Sequence, residues 1–298
     1  MTRNKSLGAH ILEFGFSGTG YTLIKFKGNC AVPDIPEEYD DGVNGKRKVT
    51  SMGVSAFANN SVIKAVTVPS GVTEIEDEAF YGCSSLENVT LSDGIKKIGE
   101  FAFFDCAPNM NVIYNGAIAK WCDIDGLGNV ATAKPNLIIG GYRVAGDLII
   151  PDGVKRIAWG AFSGQKELTS VYLPDSVTSV EESAFNGCSS LAKIRLSANL
   201  QEIGRHAFCD CRSLNEISVP EKVTSIGAWA FKGCSSLTNI TLHSGVTHVG
   251  SRAFYGCAYL SVNCEAESKP NGWDDEWNIS SRPVIWLVAP AAGQTENA

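Results

Sequence analysis

The chain lacks most of what would advertise a chemistry. No apolar run approaches the roughly 18 residues a membrane-spanning helix needs, and the longest candidate, Val284 to Ala289, is stopped by Pro283 and Pro290. Met1-Thr2-Arg3-Asn4-Lys5 is charged, but Glu13 and several glycines break up the apolar residues behind it, so no signal peptide is read. The expectation is a chain that stays in the cytoplasm or is a piece of an exported protein. Basic clusters are missing too: 25 Lys and Arg face 32 Asp and Glu, a net charge of −7 without acidic runs. That pattern argues against nucleic acid or an anionic membrane surface as partner, since both select clustered cations.

Catalytic and metal-binding patterns are equally scarce. The four histidines, His10, His206, His243 and His248, are too scattered for a ligand set or a relay, and the last two fall at positions read as solvent-exposed. There is no Cys-x-x-Cys, and Cys209-x-Cys211 alone does not match a zinc site. Asp123-x-Asp125-Gly126 has the start of a calcium loop without its later acidic ligands. Nucleophile-elbow, phosphate-loop and His-Glu-x-x-His motifs do not occur. No catalytic residue, metal or cofactor is expected, and the chain is not expected to be an enzyme.

What is abundant is repetition. Ala-Phe recurs with Phe at 57, 80, 103, 162, 185, 208, 231 and 254, and six of the seven intervals are 23 residues. Other letters keep the same phase. The unit opening at Leu168 carries Val171, Leu173, Pro174, Val177, Val180, Ala184, Phe185, Gly187 and Cys188; the next carries Leu191, Ile194, Leu196, Leu200, Ile203, Ala207, Phe208 and Cys211. Val171 and Leu173 alternate with outward Ser170 and Tyr172, the periodicity of a strand, which Pro174 ends because it has no N–H for the ladder. Val177 and Val180 read as a second extended segment, and Ala-Phe as a tight helical or 3₁₀ turn. One unit has too few apolar groups to offset the entropy of ordering it, so the units must stack.

Three motifs recur: Leu-x-x-Val-x-Leu-Pro, Val-Thr-Ser-Ile-Gly, and Ala-Phe-x-Gly-Cys-Ser-Ser-Leu; Val223 to Leu237 carries the last two almost unaltered. In these the chain resembles the BspA-like, or treponemal-type, leucine-rich repeats of bacterial surface and host-interacting proteins. The resemblance implies a leucine-rich-repeat right-handed solenoid, mainly short β-strands joined by short helical or 3₁₀ turns. It also implies a part in adhesion or protein recognition, at the cell surface or secreted if the chain is a fragment.

The expected organisation is one structural domain. Residues 8–48 supply a capping hairpin and loop, with apolar runs Ile11–Phe16 and Tyr21–Phe26 around Ser17-Gly18-Thr19-Gly20. Residues 49–264 form the solenoid, 265–290 a cap rich in tryptophan (Trp273, Trp277, Trp286), and 291–298 a tail. The single 59-residue interval means that one coil is expanded, at about 122–144, as a neutral bulge or as a binding loop. Cys83, Cys106, Cys188, Cys211, Cys234 and Cys257 each stand three residues after a Phe and should form a buried column of free thiols, with oxidation open in an exported context.

Any specificity must lie on the outward sheet positions. One column reads Thr67, Thr90, Ile113, Ile149, Tyr172, Arg195, Ser218 and Thr241, and its neighbour includes Asp147, Ser170 and Lys193. Most members are small and polar. Ile113, Ile149, Tyr172 and Arg195, with Asp147 and Lys193 beside them, are the candidate contact residues for a protein or extracellular-matrix ligand, because Tyr and Arg concentrate at interfaces. Plain β-propensity on a solvated sheet is the competing account. Two other classes stay open: a structural or spacer segment of a larger bacterial surface protein, and an enzyme.

Overall fold

A computed structural model describes residues 3–6, 10–133 and 135–287; the tail expected at 291–298 lies outside them. The chain is a β-solenoid in which a regular coil lays down two short strands and one turn, each hydrogen-bonded to its counterpart one coil away. The first column of strands carries the Val-x-Leu motif. Its members Ala65–Thr67, Asn88–Leu91 and Asn111–Tyr114 pair in parallel and in register. The second column holds two-residue strands such as Ser179–Val180, Glu202–Ile203 and Ser225–Ile226, again parallel. Inward residues of both columns, among them Val171, Leu173, Val177 and Val180, are buried in one continuous core.

The Ala-Phe turn makes a third ladder. Phe185 N–H donates to the carbonyl of Ala207 and Phe208 N–H to that of Ala230, at 2.9 and 2.8 Å. Two residues before each Phe the backbone is left-handed, at Glu78 (φ 56), Phe101 (φ 54), Ser183 (φ 55) and Trp229 (φ 62). Such a residue costs about 1–2 kcal/mol when it is not glycine, and here it sends its N–H to the next coil: Glu78 to Glu100 O at 2.8 Å and Ser183 to Arg205 O at 2.9 Å.

Inside the turns the Phe rings stack face to face. Phe57, Phe80 and Phe103 stand 4.9 and 5.2 Å apart, and Phe162 to Phe254 continue at 5.5–5.7 Å. Each column cysteine donates its thiol to the carbonyl of the Phe one coil back, as Cys83 does to Phe57 at 3.2 Å and Cys257 to Phe231 at 3.0 Å. All ten cysteines are free. Burial pushes the thiols up, Cys188 and Cys257 to about 12, so they are neutral small apolar groups with one weak donor.

Both ends of the stack are covered. His10–Phe16 and Tyr21–Gly28 form an antiparallel hairpin, and Tyr21–Gly28 also pairs in parallel with Arg47–Met52. Phe26 then lies 5.3 Å from Phe57, extending the ring stack. At the other end Trp277 meets Phe254 edge-on at 6.1 Å, Trp273 packs on Trp277 at 4.8 Å, and the Trp273 indole donates to Val246 O at 2.9 Å.

Candidate functional site

The regular lattice is altered between Phe103 and Phe162. Asn111–Tyr114 pairs in parallel with a strand at Asn136–Ile139, so a full coil of 25 residues separates Asn111 from its partner Asn136. This coil carries two short helices, Ile118–Trp121 and Gly128–Ala131, and the buried Leu127 and Val130 fill the turn in place of Ala-Phe. Asp125 still pairs back to Lys97, so the chain remains in the solenoid through residues that the repeat spacing assigns to the expansion. Gly126 explains how closely it runs there: φ is +80, and a Cβ would come 1.9 Å from the Ile98 carbonyl oxygen.

The remaining extra length is a hairpin. After Ile139, Gly140 and Gly141 turn the chain at φ 57 and 85, and Tyr142–Arg143 runs back antiparallel on Asn136–Ile139. Two adjacent positive φ values are the requirement of a two-residue hairpin turn, met at least cost by glycine. The chain then reverses again into Gly146–Ile149, the next first-column strand. Asn136 and Asp147 therefore hold equivalent coil positions although only eleven residues apart.

Side chains pin this arrangement. Trp121 donates its indole N–H to Ala161 O at 2.8 Å, bridging to the following coil. Gln165, which occupies the slot of the column cysteines, accepts from Leu137 N–H at 3.3 Å and donates to Pro135 O at 3.0 Å. Arg156 gathers three carboxylates, Asp123 at 2.8 Å, Asp125 at 2.7 Å and Glu181 at 3.2 Å, so the calcium-like Asp123-x-Asp125 pair is engaged by a guanidinium. No group of three or more His, Cys, Asp or Glu able to hold a metal occurs among the described residues.

The six candidate contact residues fall in two sheets. Ile113 lies between Thr90 and Ile138, beside an asparagine ladder in which Asn111 donates to Asn88 at 2.8 Å and Asn136 to Asn111 at 3.2 Å. The other five share a three-stranded sheet, Gly146–Ile149, Leu168–Tyr172 and Lys193–Arg195. Its register sets Ile149, Tyr172 and Arg195 in one row and Asp147, Ser170 and Lys193 in the next. Arg195 places its guanidinium carbon 4.5 Å over the Tyr172 ring, and Ser170 Oγ donates to Asp147 at 2.6 Å. Ile149 is 69% exposed and Tyr172 38%. Ile138, rather than Ile149, is thus the neighbour of Ile113.

This sheet is an island. Among the described residues Gly146–Ile149 pairs only with Leu168–Tyr172, and beyond Lys193–Arg195 the column fails again, to resume at the isolated Glu216–Asn239 bridge. Clefts border both edges. One, of about 320 Å³, lies between Gly116–Ile118, the hairpin and Gly146–Ile149; the other, of about 780 Å³, lies along Lys193–Leu196 and Glu216–Pro220. Tyr142, 81% exposed, lines the first. Sequence reasoning missed it, although Gly140-Gly141 between Ile138-Ile139 and Tyr142 is a hairpin signal.

No helix among the described residues is long and apolar enough to cross a membrane. Comparison with curated proteins returns no match. Among solved structures, a leucine rich cell surface protein from Faecalibacterium prausnitzii A2-165 is 23% identical, covering 90% of this chain and 95% of that one, with a TM-score of 0.42. The T. pallidum leucine-rich repeat protein is 25% identical over 76% of this chain and 87% of its own, with a TM-score of 0.43. The pneumococcal vaccine antigen PcpA is 14% identical over 96% and 99%, with a TM-score of 0.35. The family model for the BspA type leucine rich repeat region matches six copies at residues 43–121 and 145–261, well over half of the chain, and the protein therefore belongs to the BspA-type leucine-rich-repeat family.

Proposed function

We propose that the chain is a non-enzymatic recognition module that binds a protein or extracellular-matrix ligand on its exposed first-column sheet, as an adhesion domain would. The observation that carries this is the island sheet, where Ile149, Tyr172 and Arg195 stand side by side, apolar, aromatic and cationic, in the outward row of the first column. The Arg195–Tyr172 contact presets both side chains at a gain of about 0.5–1 kcal/mol, which lowers the ordering cost of an interface built on them. Membership of a leucine-rich-repeat family supports a macromolecular partner. Captured partner should be lost on Tyr172→Ala and Arg195→Ala with the melting temperature unchanged; undiminished capture would remove the assignment.

A spacer role in a larger surface protein is the second reading. The two runs of stacked rings, Phe26 to Phe103 and Phe162 to Phe254, and the covered ends favour it, since they serve length and rigidity alone. Variants of the island sheet would then have no effect on any partner, while deletion of whole coils would alter function through reach.

A further inference from the structure

Two slots flank each column Phe in the Ala-Phe turn, two residues before it and one residue after. Around Phe162 and Phe185 they hold Gly160, Ser163, Ser183 and Asn186. Elsewhere two aromatic groups fill them. In the first, Tyr81 and Phe104 occupy the same slot in successive coils and stack at 5.8 Å with their planes 15° apart. Phe101 meets Phe104 edge-on, also at 5.8 Å. In the second, Trp229 stands beside Tyr255 at 5.9 Å.

The groups differ in what covers their rings. Trp229 is covered by the protein itself: the His206 imidazole stacks on it at 6.1 Å, and Lys232 and Arg252 each bring a charge within 5.0 Å of the ring centre. No cation or imidazole stands over Tyr81, Phe101 or Phe104 among the described residues, and Phe101 is 50% and Phe104 42% exposed. Phe104 covers one face of Tyr81. The other face looks toward the preceding coil, where the same slot holds only Ala58, and a cleft of about 580 Å³ opens there. Small-ligand sites span roughly 300–1,000 Å³.

Opposite charges line this cleft, and neither joins an ion pair among the described residues. Lys25 donates to the Ser55 carbonyl at 3.1 Å, and the Glu78 carboxylate accepts from the Ser55 hydroxyl at 3.0 Å. Each keeps hydrogen-bonding capacity beyond that contact, and the Asn59 amide adds a donor and an acceptor to the lining. The frame is fixed in advance. The N–H groups of Ser55, Asn59 and Glu78 are held by the next coil at 3.0, 2.6 and 2.8 Å, so little backbone is left to order on binding.

Each feature restricts the occupant. An anionic ligand meets Glu78, a cationic one meets Lys25, and a purely apolar one strands both charges. What fits is a neutral ligand with an apolar face for the Tyr81 ring and adjacent groups that both give and accept hydrogen bonds. A pyranose has these. The C–H groups on one face suit the negative face of an aromatic ring, and of two vicinal hydroxyls one accepts from Lys25 while its neighbour donates to Glu78.

We propose that the cleft over Ala58 binds one neutral hexose unit of a glycan, stacked on Tyr81 and held through a vicinal hydroxyl pair between Lys25 and Glu78. The site lies on the Ala-Phe turn and is independent of the first-column sheet.

The test exposes the fluorescently labelled full chain to an array of three sets: neutral polysaccharide fragments, neutral glycoprotein-type glycans, and sulfated or uronic-acid glycans. Binding to members of a neutral set is expected, and the set that binds names the source. The tightest neutral hit is then titrated in solution as a free oligosaccharide. Tyr81→Ala and Glu78→Gln should each weaken it about tenfold or more. Tyr81→Phe, which keeps the ring, should retain binding, as should Tyr255→Ala, which removes an exposed ring elsewhere on the turns. Saturation-transfer NMR should mark the C–H groups of one face of the bound sugar most strongly. If Tyr81→Ala lowers the melting temperature, Glu78→Gln, which keeps the side-chain shape, decides. An array without a neutral hit overturns the proposal. Binding confined to the acidic glycans and lost on Lys25→Met would assign an anion site and also overturn it. Glycan binding that ignores Tyr81→Ala and Glu78→Gln but falls with Tyr172→Ala overturns this cleft and leaves the first-column surface standing.

Discussion

Cys211 donates its thiol to the carbonyl of Phe185, 3.2 Å away and one coil back. The same bond recurs up the column, so the repeated cysteine is a small apolar filler whose one polar act is to cap the preceding turn. Nine of the ten cysteines are buried, and Cys30 alone is partly exposed. Titration of the native protein with a thiol reagent should modify Cys30 at once and the others only at the rate of unfolding. Fast modification of Cys188 or Cys234 in the native state would contradict the column.

The ring stack makes the next expectation. Phe208 is fully buried between Phe185 and Phe231, at 5.6 and 5.5 Å. Phe208→Ala should cost about 3–5 kcal/mol through lost transfer energy and the cavity left behind. Because a solenoid couples nearest neighbours, hydrogen exchange should rise most in the flanking coils and least at the hairpin His10–Gly28. A uniform rise along the chain would contradict nearest-neighbour coupling.

Gly126 tests the altered coil. With its left-handed φ and the Ile98 carbonyl 1.9 Å from where a Cβ would stand, Gly126→Ala must move the backbone that joins Asp125 to Lys97. A loss of at least about 2 kcal/mol is expected in chemical denaturation, beyond the usual cost of a strained turn residue. A neutral result would mean that the coil runs elsewhere.

Asp41 gives a pH dependence. Its carboxylate accepts the backbone N–H groups of Asn44 and Val43, each at 2.8 Å, and the Asn44 amide at 2.8 Å, which hold it well below the usual carboxylate range. A depressed folded-state pKa contributes stability that is complete above the unfolded value of about 3.9 and is lost as pH falls from there toward the folded value. Asp41→Asn should therefore narrow its stability gap to the parent chain between about pH 4 and pH 2. A gap independent of pH would exclude the carboxylate as the cause.

The legibility of this fold tracks the repeat. Ala-Phe, the column cysteines and the Val-x-Leu strands are readable because each coil imposes the same packing on the same slot, so the solenoid emerges from spacing, while the family is read from the resemblance of its motifs. The coil after Tyr114 is not readable that way, since Leu127 and Val130 fill the turn from a helix and no Ala-Phe marks it. Counting alone cannot separate an enlarged coil from a coil with a hairpin after it. It therefore sets Ile149 beside Ile113, where the fold has Ile138, and overlooks Tyr142. The grouping of Tyr172 with Arg195 and of Asp147 with Lys193 is readable, because those coils keep the 23-residue step.

The hairpin is, in effect, a dislocation in a one-dimensional crystal. Asn136 and Asp147 are the same lattice point visited twice, and the rows on either side of the fault keep step within themselves. Coils can be added or lost in either block without moving the fault, and its defining eleven residues could be excised to bring Asp147 onto Asn111 and heal both sheets into one. The hairpin is thus a separable element, a feature that chain-length variation leaves untouched.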